Sequence, residues 1–338
     1  MSEAINTTLQ KLGSNGVTLS LSELVRYKGL AKQLNLHPSS TIKSSMAGAM
    51  ASRFKGRGME FDEARHYQPG DDIRSIDWRV TARTGKTHTK LYREERERPV
   101  LIYLDCSPAM HFGTQLLYKS VQGAHAAALI AFSAQSRGDK IGCIAFNQQL
   151  DIELKPKSTA KHALGMLNQI VELHNASADH HMAQSKTSSQ SVSNEAKFKH
   201  IDSINKLAML AKPGTLVYVI SDFNGFDEAC FNVLGKMHRH CEIRPLRIFD
   251  PIEQALPHIN SLQDVLLTDG DSEQYISLGD TLIESRYAQA RQQWFAYLQS
   301  NVNKIGLGLR QIDASRPIES QLVATRRGLV IGQHEDAA

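Results

Sequence analysis

The sequence has little of what would place it in a specialised class. Its 338 residues include four cysteines, Cys106, Cys143, Cys230 and Cys241, with no CxxC spacing among them. Cys106 and Cys143 fall inside apolar runs and read as small buried hydrophobes. Such cysteine use suits a reducing cytoplasm, the expected location. Long apolar runs are missing too. The longest, residues 124–134, is too short to span a bilayer and contains His125 and Ser133, so no membrane span is expected. The opening residues, MSEAINTTLQKLGSNG, lack an apolar stretch behind a basic start, which argues against a secretory leader. An excess of charge of one sign is missing too: 39 Lys and Arg against 35 Asp and Glu leave a formal net charge of +4, weak grounds for a nucleic-acid or membrane partner.

What remains is ordinary globular composition, 41% hydrophobic and 22% charged, in a chain long enough for one large domain with additions or for two domains. From residue 100 onward, strands and helices alternate. VLIYLD (100–105) is a continuous apolar run, as a central parallel strand buried on both faces requires. Residues 114–136 read as a helix rich in Ala and Leu, ended by Arg137-Gly138-Asp139. KIGCIAF (140–146) and LDIEL (150–154) are joined too tightly for a crossover. They must pair antiparallel, with 150–154 at a sheet edge. Helices are expected over 158–173, 196–211, 226–239 and 281–300. Strands are expected over 215–222, 242–249 and 305–312, with a hairpin near 262–278 and a short helix from about 317. This order predicts an α/β fold: a doubly wound, mostly parallel sheet with one antiparallel edge strand and helices on both faces. Residues 174–194 are rich in Ser, His, Gln and Asn, with almost nothing to bury, and read as a surface loop.

The first hundred residues differ. Residues 18–36 look helical, with Leu19, Leu21, Leu24, Leu30 and Leu34, and lead into a flexible stretch, so 1–52 is read as a helical region and linker. Residues 53–99 are polar and punctuated by glycine, and are expected to pack on the α/β domain of 100–330. Within them, Gly70-Asp71-Asp72 precedes Ile73, Ile76 and Val80 at helical spacing, with Asp71 or Asp72 as the cap. Arg74, Trp78, Arg79 and Arg83 are interleaved there. They read either as a partner-binding surface or as an internal salt-bridge lattice with Asp62, Glu63 and Asp77. The run Arg93-Glu94-Glu95-Arg96-Glu97-Arg98 is mixed in sign and reads as a solvated strand end.

In open α/β sheets, ligands bind outside the carboxyl ends of the strands. Two predicted strands end in aspartate here, at Asp105 in LDCSPAM and Asp222 in ISDFNG. If those strands are central neighbours, both carboxylates point into one crevice, and Ser107 adds a hydroxyl. Two carboxylates and a hydroxyl form a hard-oxygen set suited to Mg²⁺. The alternative is that Asp105 only caps the following turn. His180-His181 and the His238/His240 pair lack partners at zinc-ligand spacing. Lys55-Gly56-Arg57-Gly58 lacks the Lys-Ser/Thr that completes a P-loop. Ser107 has no G-x-S-x-G elbow around it.

Asp105-Cys106-Ser107-Pro108-Ala109 resembles the D-x-S-x-S metal-ion-dependent adhesion motif of von Willebrand factor A domains, and Asp222 matches that family's later aspartate. The segment GRGMEFDEARHYQPGDDIRSIDWRVTARTGKTHTKLYREERERPVLIYLD resembles the bacterial family known as domain of unknown function fifty-eight. Members combine such a segment with a von Willebrand A-like domain and are commonly encoded beside MoxR-type AAA+ ATPases. The resemblance implies a metal site at Asp105, Ser107 and Asp222, degenerate because Ala109 stands where a second serine ligand belongs. A threonine-type ligand would come from the loop before Asp222, with Thr187 as a candidate. It also implies a non-enzymatic adaptor that couples a MoxR-type ATPase to client proteins. The competing reading is a metal-dependent phosphohydrolase using the Asp105/Asp222 crevice, for which no general base or second ligand set is visible. Nucleic-acid binding through residues 53–98 is disfavoured because Asp and Glu nearly match Arg and Lys there.

Overall fold

The structure is a computed structural model and describes residues 2–34, 36, 59–94, 97–147, 150–184, 192–257, 263–268, 273–325 and 328–334. The chain divides into two compact units, residues 1–39 with 98–338, and residues 40–97. The larger unit begins with helix α1 (Ser2–Leu12) and a short helix α2 (Leu21–Val25). Ser20 caps α2 by accepting from the Glu23 amide. The single helix expected over 18–36 is instead broken after Val25 into two 3-10 turns, Arg26–Lys28 and Leu30–Gln33.

The smaller unit pairs strand β1 (Met59–His66) antiparallel with β2 (His88–Glu94), with an irregularity between Phe61 and Glu63. Between them lies helix α3 (Trp78–Thr84). Asp77 caps α3 by accepting from the Arg79 and Val80 amides, and Gly85 ends it at a left-handed φ of 68°. Asp72 caps only the preceding 3-10 turn, Ile73–Ser75.

The α/β body follows as β3 (Pro99–Asp105), α4 (Lys119–Ser136), β4 (Lys140–Phe146), β5 (Asp151–Lys157), α5 (Ala160–Gln184), α6 (Val192–Leu210), β6 (Leu216–Ser221), α7 (Glu228–His238) and β7 (Glu242–Phe249). A hairpin of β8 (Gln263–Thr268) and β9 (Glu273–Leu278) precedes α8 (Thr281–Lys304). The chain then makes β10 (Arg310–Asp313), the paired strands β11 (Leu322–Thr325) and β12 (Gly328–Ile331), and β13 (Gln333–His334). The main sheet has the order β13-β10-β7-β6-β3-β4-β5. Its five inner strands are parallel, and both edges, β5 and β13, are antiparallel. One antiparallel edge was expected. The second was missed because a strand of two residues has no hydrophobic period to read.

The expected loop over 174–194 is also corrected. Residues 174–184 continue α5, and 192–194 open α6. The polar composition misled because polar side chains there hydrogen-bond inward: His174 is fully buried, and Asn175 bonds both the amide and the carbonyl of Leu19.

The two sheet faces carry separate cores. Val100, Ile102 and Leu104 of β3 pack with Leu129, Ile130, Leu167 and Ile170 on one side. Leu101 and Tyr103 pack with Ile204, Leu207 and Leu234 on the other. Each fully buried aliphatic side chain of this kind contributes about 1.5–3 kcal/mol of transfer free energy. Helix α4 is buried from Lys119 through Ala134, because the sheet covers one side and Leu24, Tyr27, Ala31 and Leu34 belong to the same core. Such a helix is buried nearly all round, its few polar side chains paired inside the protein, without being a membrane span. Gly123 permits its close approach: a Cβ there would stand 3.2 Å from Leu104 Cδ1. Among the described residues no helix is long and apolar enough to cross a membrane.

Candidate functional site

Strands β3 and β6 are neighbours, with Leu104 opposite Ile220. They end side by side at the carboxyl edge, where the chain reverses its direction of travel across the sheet. Asp105 is fully buried there and Asp222 nearly so. The structure therefore brings both predicted aspartates to one edge, but it engages each with a different set of partners.

Asp105 accepts from the Ser107 amide at 2.9 Å through Oδ1 and from Ser221 Oγ at 2.6 Å through Oδ2. His200 Nε2 of α6 stands 3.8 Å from the same Oδ2, and its Nδ1 lies 3.1 Å from Tyr103 Oη. Ser221 in turn receives the Phe223 amide at 2.9 Å. Phe223 has a φ of 63°, an uncommon left-handed conformation for a bulky residue, and its ring is buried. Ser107 is itself buried and stands before a 3-10 turn, Pro108–Met110. Ala109 is exposed on that turn. His111 Nδ1 lies 3.1 Å from the Ser107 carbonyl oxygen, and its ring stacks on His174 with centroids 4.8 Å apart.

Asp222 accepts from the Asn224 amide at 2.9 Å and from Asn224 Nδ2 at 2.8 Å. Its decisive partner is Lys119, whose Nζ donates to Asp222 Oδ2 at 2.7 Å and to Glu253 Oε1 at 2.6 Å. Lys119 is 1% exposed. Burial alone disfavours its charged form, but the charges of Asp222 and Glu253 outweigh that cost and raise its pKa. Burial likewise works against the ionised Asp222, yet the Lys119 charge, with hydrogen bonds from Lys119 and Asn224, holds its pKa below the usual carboxylate value. Glu253 closes a capping box with Asp250. Asp250 accepts from the Thr114 amide at 2.7 Å and from its hydroxyl at 2.6 Å.

The residues present do not fit the Mg²⁺ site that the adhesion motif implies. Both oxygens of Asp105 and both of Asp222 already accept short hydrogen bonds, and an ammonium stands against Asp222. Among the described residues no group of three His, Cys, Asp or Glu side chains could hold a metal ion. Thr187 and Lys55–Gly58 lie outside the described residues, as do the side chains of His180 and His181.

Lys119, Ser221, His200 and the Asp250/Glu253 pair escaped the sequence reading. Two signals could have found some of them: a single lysine opening an otherwise apolar helix, and Asp-Pro-Ile-Glu at 250–253 in the pattern of a capping box. In the smaller unit, Arg74, Trp78, Arg79 and Arg83 are all exposed. Among the described residues the ion pairs there are Arg65 with Asp71 at 2.7 Å and Lys90 with Asp77 at 3.9 Å. Among the described residues the three arginines make no ion pair with Asp77, so that part of the lattice expectation is corrected. The side chains of Asp62 and Glu63 lie outside the described residues. The four cysteines are buried and free. Burial raises all four thiol pKa values, that of Cys143 to about 12.

Uncharacterized proteins of Mycobacterium bovis and Mycobacterium tuberculosis are each 27% identical to this chain over 236 residues, 69% of this chain and 68% of theirs. Among solved structures, the conserved hypothetical protein BatB from Bacteroides thetaiotaomicron is 16% identical, with a TM-score of 0.34 over 62% of this chain and 98% of its own. An aerotolerance-related membrane protein from Bacteroides fragilis is 17% identical, with a TM-score of 0.33 over 61% of this chain and 99% of its own. The family described as protein of unknown function DUF58 matches residues 63–295, more than half of the sequence, and the chain belongs to that family.

Proposed function

We propose that this chain is a von Willebrand A-like protein-interaction module of the cytoplasm, working with a MoxR-type AAA+ ATPase on client proteins. The observation that carries this reading is the placement of Asp105 and Asp222 at the ends of the neighbouring central strands β3 and β6, with Ser107 on the loop between β3 and α4. That edge is where open α/β sheets present their binding loops. The carboxylates are engaged by internal donors, so neither is open to activate a water or receive a phosphate ester. This favours recognition over the phosphohydrolase alternative. Family membership and the D-x-S motif supply the link to the ATPase by analogy.

A second contact region in this reading is the exposed set Arg74, Trp78, Arg79 and Arg83. Trp78 is 68% exposed and Ile73 66%. Exposed aromatic and arginine side chains are the types that dominate interface energetics. The test is a binding titration between the full-length chain and the purified MoxR-type ATPase of the same organism. A saturable complex weakened about tenfold or more by Trp78→Ala or Arg79→Ala supports the reading. No complex and no change in ATPase rate, with either nucleotide, overturns it.

A further inference from the structure

A metal-dependent adhesion site leaves its carboxylates open toward the ligand, and an ion closes the gap. Here the gap is closed by a covalently attached cation. Lys119 begins α4, and its backbone amide donates to the Phe112 carbonyl at 2.8 Å. The side chain is 1% exposed, and its ammonium lies between Asp222 and Glu253 at 2.7 and 2.6 Å. We infer that Lys119 supplies the cation that Asp222 needs at this edge, held between Asp222 and Glu253, so that the Asp222 half of the implied metal site is assembled without a divalent metal.

Three further observations support this. First, Asp222 Oδ2 accepts from both Lys119 Nζ and Asn224 Nδ2, while Oδ1 accepts from the Asn224 amide. A hard divalent ion on Oδ2 would have to displace one of its two donors. Second, displacing Lys119 would leave an ammonium buried without its partner, which costs far more than one neutral oxygen ligand returns. Third, the contacts of Lys119 continue outward as a divalent ion's shell would. Glu253 caps the Asp250 turn, Asp250 binds the Thr114 amide and hydroxyl, and Arg291 Nε donates to the Glu253 carbonyl at 2.7 Å. The ammonium thus joins the start of α4 to the turns after β6 and β7, and the turn after β7 is tied in turn to Thr114 through Asp250 and to α8 through Arg291. The inference concerns the site itself and holds whether or not the edge binds a MoxR-type ATPase.

The test is Mn²⁺ binding by the full-length chain, read by electron paramagnetic resonance, with thermal unfolding in chelator and in Mg²⁺ alongside. The wild type is expected to leave the free Mn²⁺ signal unchanged at millimolar ion and to melt at the same temperature in chelator and in Mg²⁺. Lys119→Ala removes the cation between two carboxylates, Asp222 and Glu253, at one point. It is expected to gain saturable Mn²⁺ binding, about tenfold or more tighter than wild type, and to recover part of its lost melting temperature when Mn²⁺ is added. Lys119→Arg keeps the charge and is expected to remain insensitive to metal. Stoichiometric Mn²⁺ binding by the wild type, abolished by Asp222→Asn, overturns the inference. So does a folded Lys119→Ala that binds no Mn²⁺. If Lys119→Ala does not fold, the wild-type and Lys119→Arg measurements still decide.

Discussion

Glu23 Oε1 and His125 Nε2 lie 2.7 Å apart, 102 residues apart in sequence and both buried. The other ring nitrogen, Nδ1, is 3.0 Å from Tyr27 Oη. Burial raises the Tyr27 pKa far above its ordinary value, so the phenol stays protonated. A phenol donating to Nδ1, and Nε2–H donating to the carboxylate, satisfies all three groups. This chain of contacts is how the N-terminal segment recognises α4. Glu23→Ala leaves a buried N–H without its acceptor and is expected to cost about 1–3 kcal/mol in urea unfolding. A loss below a few tenths would show that the segment is held by its leucines alone.

Ser221→Ala is expected to destabilise by a similar amount, about 1–3 kcal/mol. The hydroxyl donates to Asp105 Oδ2 and accepts from the Phe223 amide, so its loss strips one donor from a buried carboxylate and one acceptor from a strained turn. Ser221→Thr keeps the hydroxyl and is expected to retain more of the stability. Equal melting temperatures for Ser221→Ala and wild type would refute the bridge.

Asn175 tests the corrected helix. Its side chain bonds both the amide and the carbonyl of Leu19, at 3.0 and 2.9 Å, pinning the start of the N-terminal segment to α5. Asn175→Ala is expected to lower stability by about 1–2 kcal/mol and to raise hydrogen exchange at Leu19. A neutral substitution with unchanged exchange would return this stretch to the status of a surface loop.

His174 makes stability depend on pH. Burial, reinforced by the charge of neighbouring His111, lowers its pKa from 6.5 to about 3. The unfolded chain binds the proton more readily, so stability rises with pH between those two values and is lost as pH falls below 6.5. Between pH 7 and pH 5 this group alone should remove about 2 kcal/mol. Burial shifts His111 in the same direction. His174→Gln cannot take up the proton, so its unfolding free energy should vary less between pH 5 and 7. A slope equal to that of the wild type would assign the acid sensitivity elsewhere.

By itself, the sequence determined the alternation of elements, the α/β class, the antiparallel β4–β5 pair and the two aspartates at strand ends. These follow from short-range patterns: continuous apolar runs such as residues 100–105, helical spacing, and breakers such as Arg137-Gly138-Asp139. It also carried the family, through the segment before residue 99. Tertiary structure decided the state of the site. Asp105 reads as a metal ligand or a turn cap in LDCSPAM, and only folding places Ser221 and His200 around it, 116 and 95 positions further along the chain. Lys119 goes unnoticed inside the helix expected over 114–136 until β6 and the turn after β7 bring Asp222 and Glu253 against it, 103 and 134 residues away. His174 and Asn175 read as loop residues because polarity along the chain says nothing about whether a partner waits inside. A buried polar group is stable only when another part of the chain supplies its hydrogen bond. That partner is fixed by strand order and helix packing, not by any local pattern.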